Sequence, residues 1–166
     1  MRFTWTLLLL LPAFSACKKN QSCDRDAGTT VAPANERAMV TSYLAARSIT
    51  ATELGNSGMF YVIVNPGNNR TPNVCNNVRV RYRGELANGT VFDQTTGNTT
   101  VDFPLGQLIE GWRRGLPLIG EEGKIRLYIP PSLGYRDQAQ IDSRTGFVTI
   151  PANSMLIFEI DLVRVF

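Results

Sequence analysis

The chain has 166 residues, 43% of them apolar and 19% charged, with a net charge of +3. That length suits one ordinary domain, and the composition is that of a globular protein. The small positive excess contains no run of Lys and Arg, so no nucleic-acid partner is expected. The chain has no histidine, which excludes Ser-His and Cys-His catalysis and the usual zinc centres. No metal and no cofactor is expected.

Residues 1–16 read as an export signal. Arg2 is the positive start, 7–11 an apolar run, and Ser15-Ala16 the small residues before a cut. The apolar run is shorter than the roughly 20 residues that span a bilayer. Phe14-Ser15-Ala16-Cys17 resembles the lipobox of bacterial lipoproteins. That resemblance implies lipidation of Cys17 and a membrane anchor without a spanning helix. An ordinary signal cut near Ala16 is the alternative. Residues 17–33 are polar and read as a flexible tether. An exported protein meets an oxidising environment. A disulfide between Cys23 and Cys75 fits that, as do two free or intermolecular thiols.

Residues 34–57 read as a helical N-terminal extension. Asn35 is placed to cap a helix running to about Arg47, with Met39/Tyr43 and Val40/Leu44 as an apolar stripe. The stripe would dock on its own domain or pair two copies, so monomer and helix-mediated dimer both stand. Residues 59–64 read as a strand closed by Asn65-Pro66-Gly67. Residues 78–86 give the cleanest period, with Val78, Val80, Tyr82, Gly84 and Leu86 alternating with Arg79, Arg81, Arg83 and Glu85. Asn88-Gly89 marks a hairpin, and 90–93 begins the return strand. Residues 101–103 resume extended structure. A short helix follows, on which Ile109, Trp112 and Leu116 would share a face. Residues 124–129 alternate again up to Pro130-Pro131. Residues 132–149 read as one long loop. Residues 155–166 form a last strand, with Leu156, Phe158, Ile160 and Leu162 on one face. The expected fold is α+β: an antiparallel sheet with one short central helix packed against it.

Five motifs occur in order: Val80-Arg81-Tyr82-Arg83-Gly84, Asn88-Gly89-Thr90-Val91-Phe92-Asp93, Leu108-Ile109-Glu110-Gly111-Trp112, Ile129-Pro130-Pro131 with Leu133-Gly134-Tyr135, and Ile150-Pro151 with Leu156-Ile157-Phe158. Together they resemble the FKBP-type peptidyl-prolyl cis–trans isomerases, over 58–166. The leader and preceding helix also resemble those of exported bacterial lipoproteins of that family. The resemblance implies an FKBP-like sheet wrapped around the helix and an isomerase assisting the folding of exported proteins. Its partners would be unfolded, proline-containing polypeptides.

It also implies a pocket. Tyr82, Asp93, Ile109, Trp112 and Tyr135 take the catalytic positions, Trp112 as the floor and the Ile109 N–H and Tyr135 hydroxyl on substrate carbonyls. Phe92, Phe103, Leu108, Ile150 and Phe158 take substrate-binding positions. Three departures stand out. Arg136 replaces a usual glycine, the loop to Ile150 is long and lacks histidine, and Gln94-Thr95 follows Phe92-Asp93. The first two leave a second reading, a proline-binding holdase or interaction module with little turnover. Lys18 after Cys17 implies the periplasmic side of the outer membrane, where the source has two membranes.

Overall fold

A computed structural model describes residues 25–166. Lipidation of Cys17 and the part of Cys23 in a disulfide therefore lie outside the described residues. Cys75 itself is disulfide-bonded.

The sheet is antiparallel throughout and is assembled around two long strands. These are β3 (Asn77–Leu86) and β9 (Leu156–Val165), which pair along their length. β6 (Lys124–Ile129) adds to the other side of β9, followed by β2 (Phe60–Asn65) and the short β1 (Thr52–Glu53). The free edge of β3 carries two short strands end to end. β5 (Val101–Pro104) pairs with its first half and β4 (Val91–Gln94) with its second. Thr95 spans the gap between them. Its N–H donates to the Tyr82 carbonyl at 3.0 Å, and its hydroxyl accepts the Tyr82 N–H at 3.1 Å. A side chain thus replaces a missing ladder bond where the strand carries Tyr82.

The alternation in the sequence sorts the two faces as expected. Val78, Val80, Ile125, Leu127, Ile129, Leu156, Ile160 and Leu162 are buried on the inner face. α2 (Glu110–Gly115) lies against it, with Trp112 and Leu116 in that core. The opposite face pairs its charges across strands: Arg79 with Asp102 at 2.7 Å, Arg81 with Asp161 at 3.5 Å and Lys124 with Glu159 at 2.5 Å. Such exposed pairs each contribute little, about 0–1 kcal/mol, and serve mainly to keep opposite charges in register.

α1 (Ala34–Ala46) covers the rest of the outer face. Val40 and Leu44 are buried there against Tyr128, Met155 and Ile157. That side of the stripe is therefore occupied by the helix's own sheet, while Met39 stays 41% exposed. Asn35 lies inside the helix, and Pro33 takes the N-cap position without a side-chain cap. The fixed φ of proline suits a helix start, and Glu36 is used elsewhere, accepting the Ser132 N–H at 2.8 Å.

The short helix also differs from the expected one. It starts at Glu110, and Ile109 is extended at φ −56°, ψ 153°. Ile109 therefore does not share a helical face with Trp112; it is the last residue before the first turn. In the stretch expected as a long loop, β7 (Gln140–Ile141) and β8 (Val148–Ile150) form a small hairpin. Arg136, at the usual glycine position, has φ +58°. That left-handed conformation costs an ordinary residue about 1–2 kcal/mol. Arg136 is fixed there by its N–H on the Pro131 carbonyl and its carbonyl on the Asn153 N–H. Among the described residues no helix is long and apolar enough to cross a membrane, and no cluster of three or more His, Cys, Asp or Glu is placed to hold a metal.

Candidate active site

The inner sheet face and α2 do not close on each other completely. Between them lies a cavity of about 250 Å³ lined by aromatic rings. Trp112, 4% exposed, forms its floor. Three rings meet the indole: Phe158 at 5.2 Å, Tyr82 at 5.5 Å and Phe103 at 6.2 Å between centroids, all near perpendicular. Phe92 stands edge-on to Phe158 at 5.5 Å. Edge-to-face geometry is the preferred packing of such rings, at about 0.5–1.5 kcal/mol per pair beyond burial. It also leaves a cup rather than a filled stack.

Gly84 makes the arrangement fit. A Cβ there would stand 2.6 Å from the Phe92 ring and 2.8 Å from that of Phe158. Only a residue without a side chain lets both rings close over the strand.

Nine of the ten expected pocket residues line this cavity: Tyr82, Phe92, Asp93, Phe103, Leu108, Ile109, Trp112, Tyr135 and Phe158. Ile150 lines a second, more polar compartment of about 400 Å³ instead. Phe92, Asp93 and Tyr135 belong to both, so the two adjoin. Gln140, Asp142, Arg144 and Thr149 of the hairpin region wall the second one. Two residues escaped the sequence reading. Gln107 lines the first cavity, and Thr95 holds the Tyr82 backbone. The Gln94-Thr95 pair was visible as a departure, but its strand-bridging role depends on register.

The polar groups are few. The Tyr82 hydroxyl donates to Asp93 at 2.5 Å, fixing the ring at the cavity edge. Burial, the hydrogen bond and the Asp93 charge all push the Tyr82 phenol well above its ordinary value. Burial first, then the Asp93 charge, raises that of Tyr135. Neither the Tyr135 hydroxyl nor the Ile109 N–H has a protein partner among the described residues.

These shifts fix the sign of one pH effect. Above about pH 10 the unfolded phenols lose protons that the folded ones keep. The folded state then binds more protons, so stability falls as pH rises further. With no histidine in the chain, the thermal midpoint is expected to be level from about pH 6 to 9 and to drop beyond about 10. A limb near neutrality in that profile would contradict this assignment.

The geometry matches known proteins. Residues 68–163, more than half of the chain, match the family described as FKBP-type peptidyl-prolyl cis-trans isomerase. The probable FKBP-type isomerase FkpA of Neisseria meningitidis is 39% identical over 110 residues, 66% of this chain and 38% of that protein. FkpA of Escherichia coli is 36% identical over 111 residues, again 66% and 38%. The crystal structure of Escherichia coli FkpA superposes with a TM-score of 0.66 at 31% identity, covering 80% of this chain and 60% of that one. A peptidyl-prolyl cis-trans isomerase from Pseudomonas syringae gives 0.65 at 28%, covering 83% and 98%. The chain belongs to the FKBP-type peptidyl-prolyl cis–trans isomerase family. It spans about 38% of the length of the two curated FkpA relatives.

Proposed function

We propose that this chain accelerates cis–trans isomerisation of X–Pro bonds in exported polypeptides, in the ring-walled cavity above Trp112. The barrier, about 18–20 kcal/mol, comes from amide resonance. Twisting the bond removes charge separation that water stabilises. A dry aromatic cup therefore favours the twisted amide over the planar one, without nucleophile, acid, base or metal.

The residues divide the work by position. Trp112, Phe103, Tyr82 and Phe158 enclose the prolyl ring. The Tyr135 hydroxyl and Ile109 N–H, both lacking protein partners among the described residues, take substrate carbonyls. Asp93 holds Tyr82 by its hydroxyl and donates no proton. The cavity of about 250 Å³ with perpendicular rings on three sides of Trp112 is the observation that carries this reading. Phe14-Ser15-Ala16-Cys17 supports export and a lipid anchor on the periplasmic side.

A protease-coupled assay on X–Pro tetrapeptides is the test. The intact chain is expected to speed isomerisation, and the Trp112→Ala/Tyr135→Phe double variant to lose the effect. No acceleration by the intact chain would sink the proposal. A second reading, a holdase with little turnover, draws on the hairpin, where Ile141, Phe147 and Val148 are 60%, 75% and 55% exposed. Peptide binding measured beside turnover separates the two.

A further inference from the structure

Residues 25–33, in the second half of the stretch expected as a tether, lie along the domain and meet the pocket helix from behind. The Arg25 side chain packs where a Cβ on Gly106 would stand, 2.5 Å from its Cδ. Gly28 has φ +98°, and a Cβ there would fall 2.3 Å from the Glu110 carboxyl carbon. Conformation and space both demand glycine. The Thr30 N–H donates to Glu110 Oε1 at 2.8 Å and its hydroxyl to Oε2 at 2.7 Å. Arg114 closes the group, donating to the Thr30 carbonyl at 2.8 Å and to Glu110 at 3.2 Å. Further on, the Ala32 N–H donates to the Ser57 carbonyl at 2.9 Å.

Glu110 is the only charged residue among the buried ones described, at 8% exposure. A carboxylate so placed is costly unless its oxygens are satisfied. Here Thr30 supplies two of the three donors. Glu110 is also the first residue of α2, adjacent to Ile109 and two before Trp112. A helix of six residues does not hold itself in place, and packing must fix it. From inside, the sheet does so. From outside, the strap does so, through Thr30 on Glu110 and Arg114.

We propose that Glu110 is a positioning residue that couples this N-terminal strap to the prolyl pocket. The docked strap sets where α2 begins, and with it the Ile109 N–H and the Trp112 floor. The inference rests on the isomerase reading for its kinetic arm only. A displacement of about 1 Å suffices to lower a rate a hundredfold where catalysis is orientation.

The test uses the full chain in a Trp5→Phe background, which leaves Trp112 the sole tryptophan. Thr30→Val and Glu110→Gln should each lower kcat for an X–Pro peptide about tenfold with KM little changed, and shift Trp112 emission. The double variant should be no worse than Glu110→Gln alone, as expected of groups acting as a unit. Arg37→Met breaks the extension's Arg37–Glu53 ion pair without touching α2 and should leave both readouts intact. Unchanged turnover and emission in the two strap variants would overturn the inference, as would an equal loss in Arg37→Met. If the intact chain shows no turnover, the isomerase reading fails and emission alone decides: a shift in Thr30→Val and Glu110→Gln upholds the coupling, and its absence ends it.

Discussion

Trp112→Ala is expected to lower kcat/KM for X–Pro peptides by about a hundredfold, equivalent to roughly 2.7 kcal/mol of transition-state stabilisation. It should also destabilise the fold by about 3–5 kcal/mol, the usual range for emptying a buried aromatic site. Both effects follow from one position. The indole is 4% exposed and meets the rings of Phe158, Tyr82 and Phe103 edge to face. Without it those rings lose their common partner and water reaches the amide. The two losses separate by temperature. Assayed well below its lowered melting point, with circular dichroism confirming the sheet, the variant should remain slow. A folded Trp112→Ala protein within about threefold of the parent would show that chemistry does not depend on this floor.

Gly84→Val should also be damaging, though the residue has no side chain to contribute. Its Cα faces Phe158 across β9 and Asp93 across β4. A Cβ would meet ring atoms of Phe92 at 2.6 Å and of Phe158 at 2.8 Å. Aromatic rings cannot bend away as a lysine chain would, so one must leave its rotamer. Overpacking of this kind costs about 1–3 kcal/mol. Turnover should fall at least about tenfold, because the displaced ring is a pocket wall. The clash is separable from any backbone effect. Gly84→Ala combined with Phe92→Leu should regain most of the stability lost in Gly84→Ala alone, measured by denaturant midpoint. No recovery in the pair would mean that the strand, and not the rings, objects to a side chain.

The two predictions show unequal legibility. The alternation in 78–86 and 124–129 places the inner face without a structure, because a strand's period is two and each run is six residues or longer. The ordered motifs place nine of ten residues on one cavity. Ile150 moves to the adjoining compartment because β8 pairs with β7. Those strands, of two and three residues, are too short to show any period. Ile109 was expected inside the helix because spacing alone cannot separate a first turn from an extended residue before it. The bond between Thr30 and Glu110 joins residues eighty positions apart. No local pattern encodes such a pairing. Nor does sequence reveal that Thr95 replaces a ladder bond, which depends on where β4 ends.

The docking of Arg25 against Gly106 also sets a length. Cys17 and Arg25 are eight residue steps apart, about 28 Å at full extension. A lipid on Cys17 would thus keep the domain on a short leash. Any polypeptide it acts on would then be met close to the headgroup surface rather than deep in the surrounding fluid.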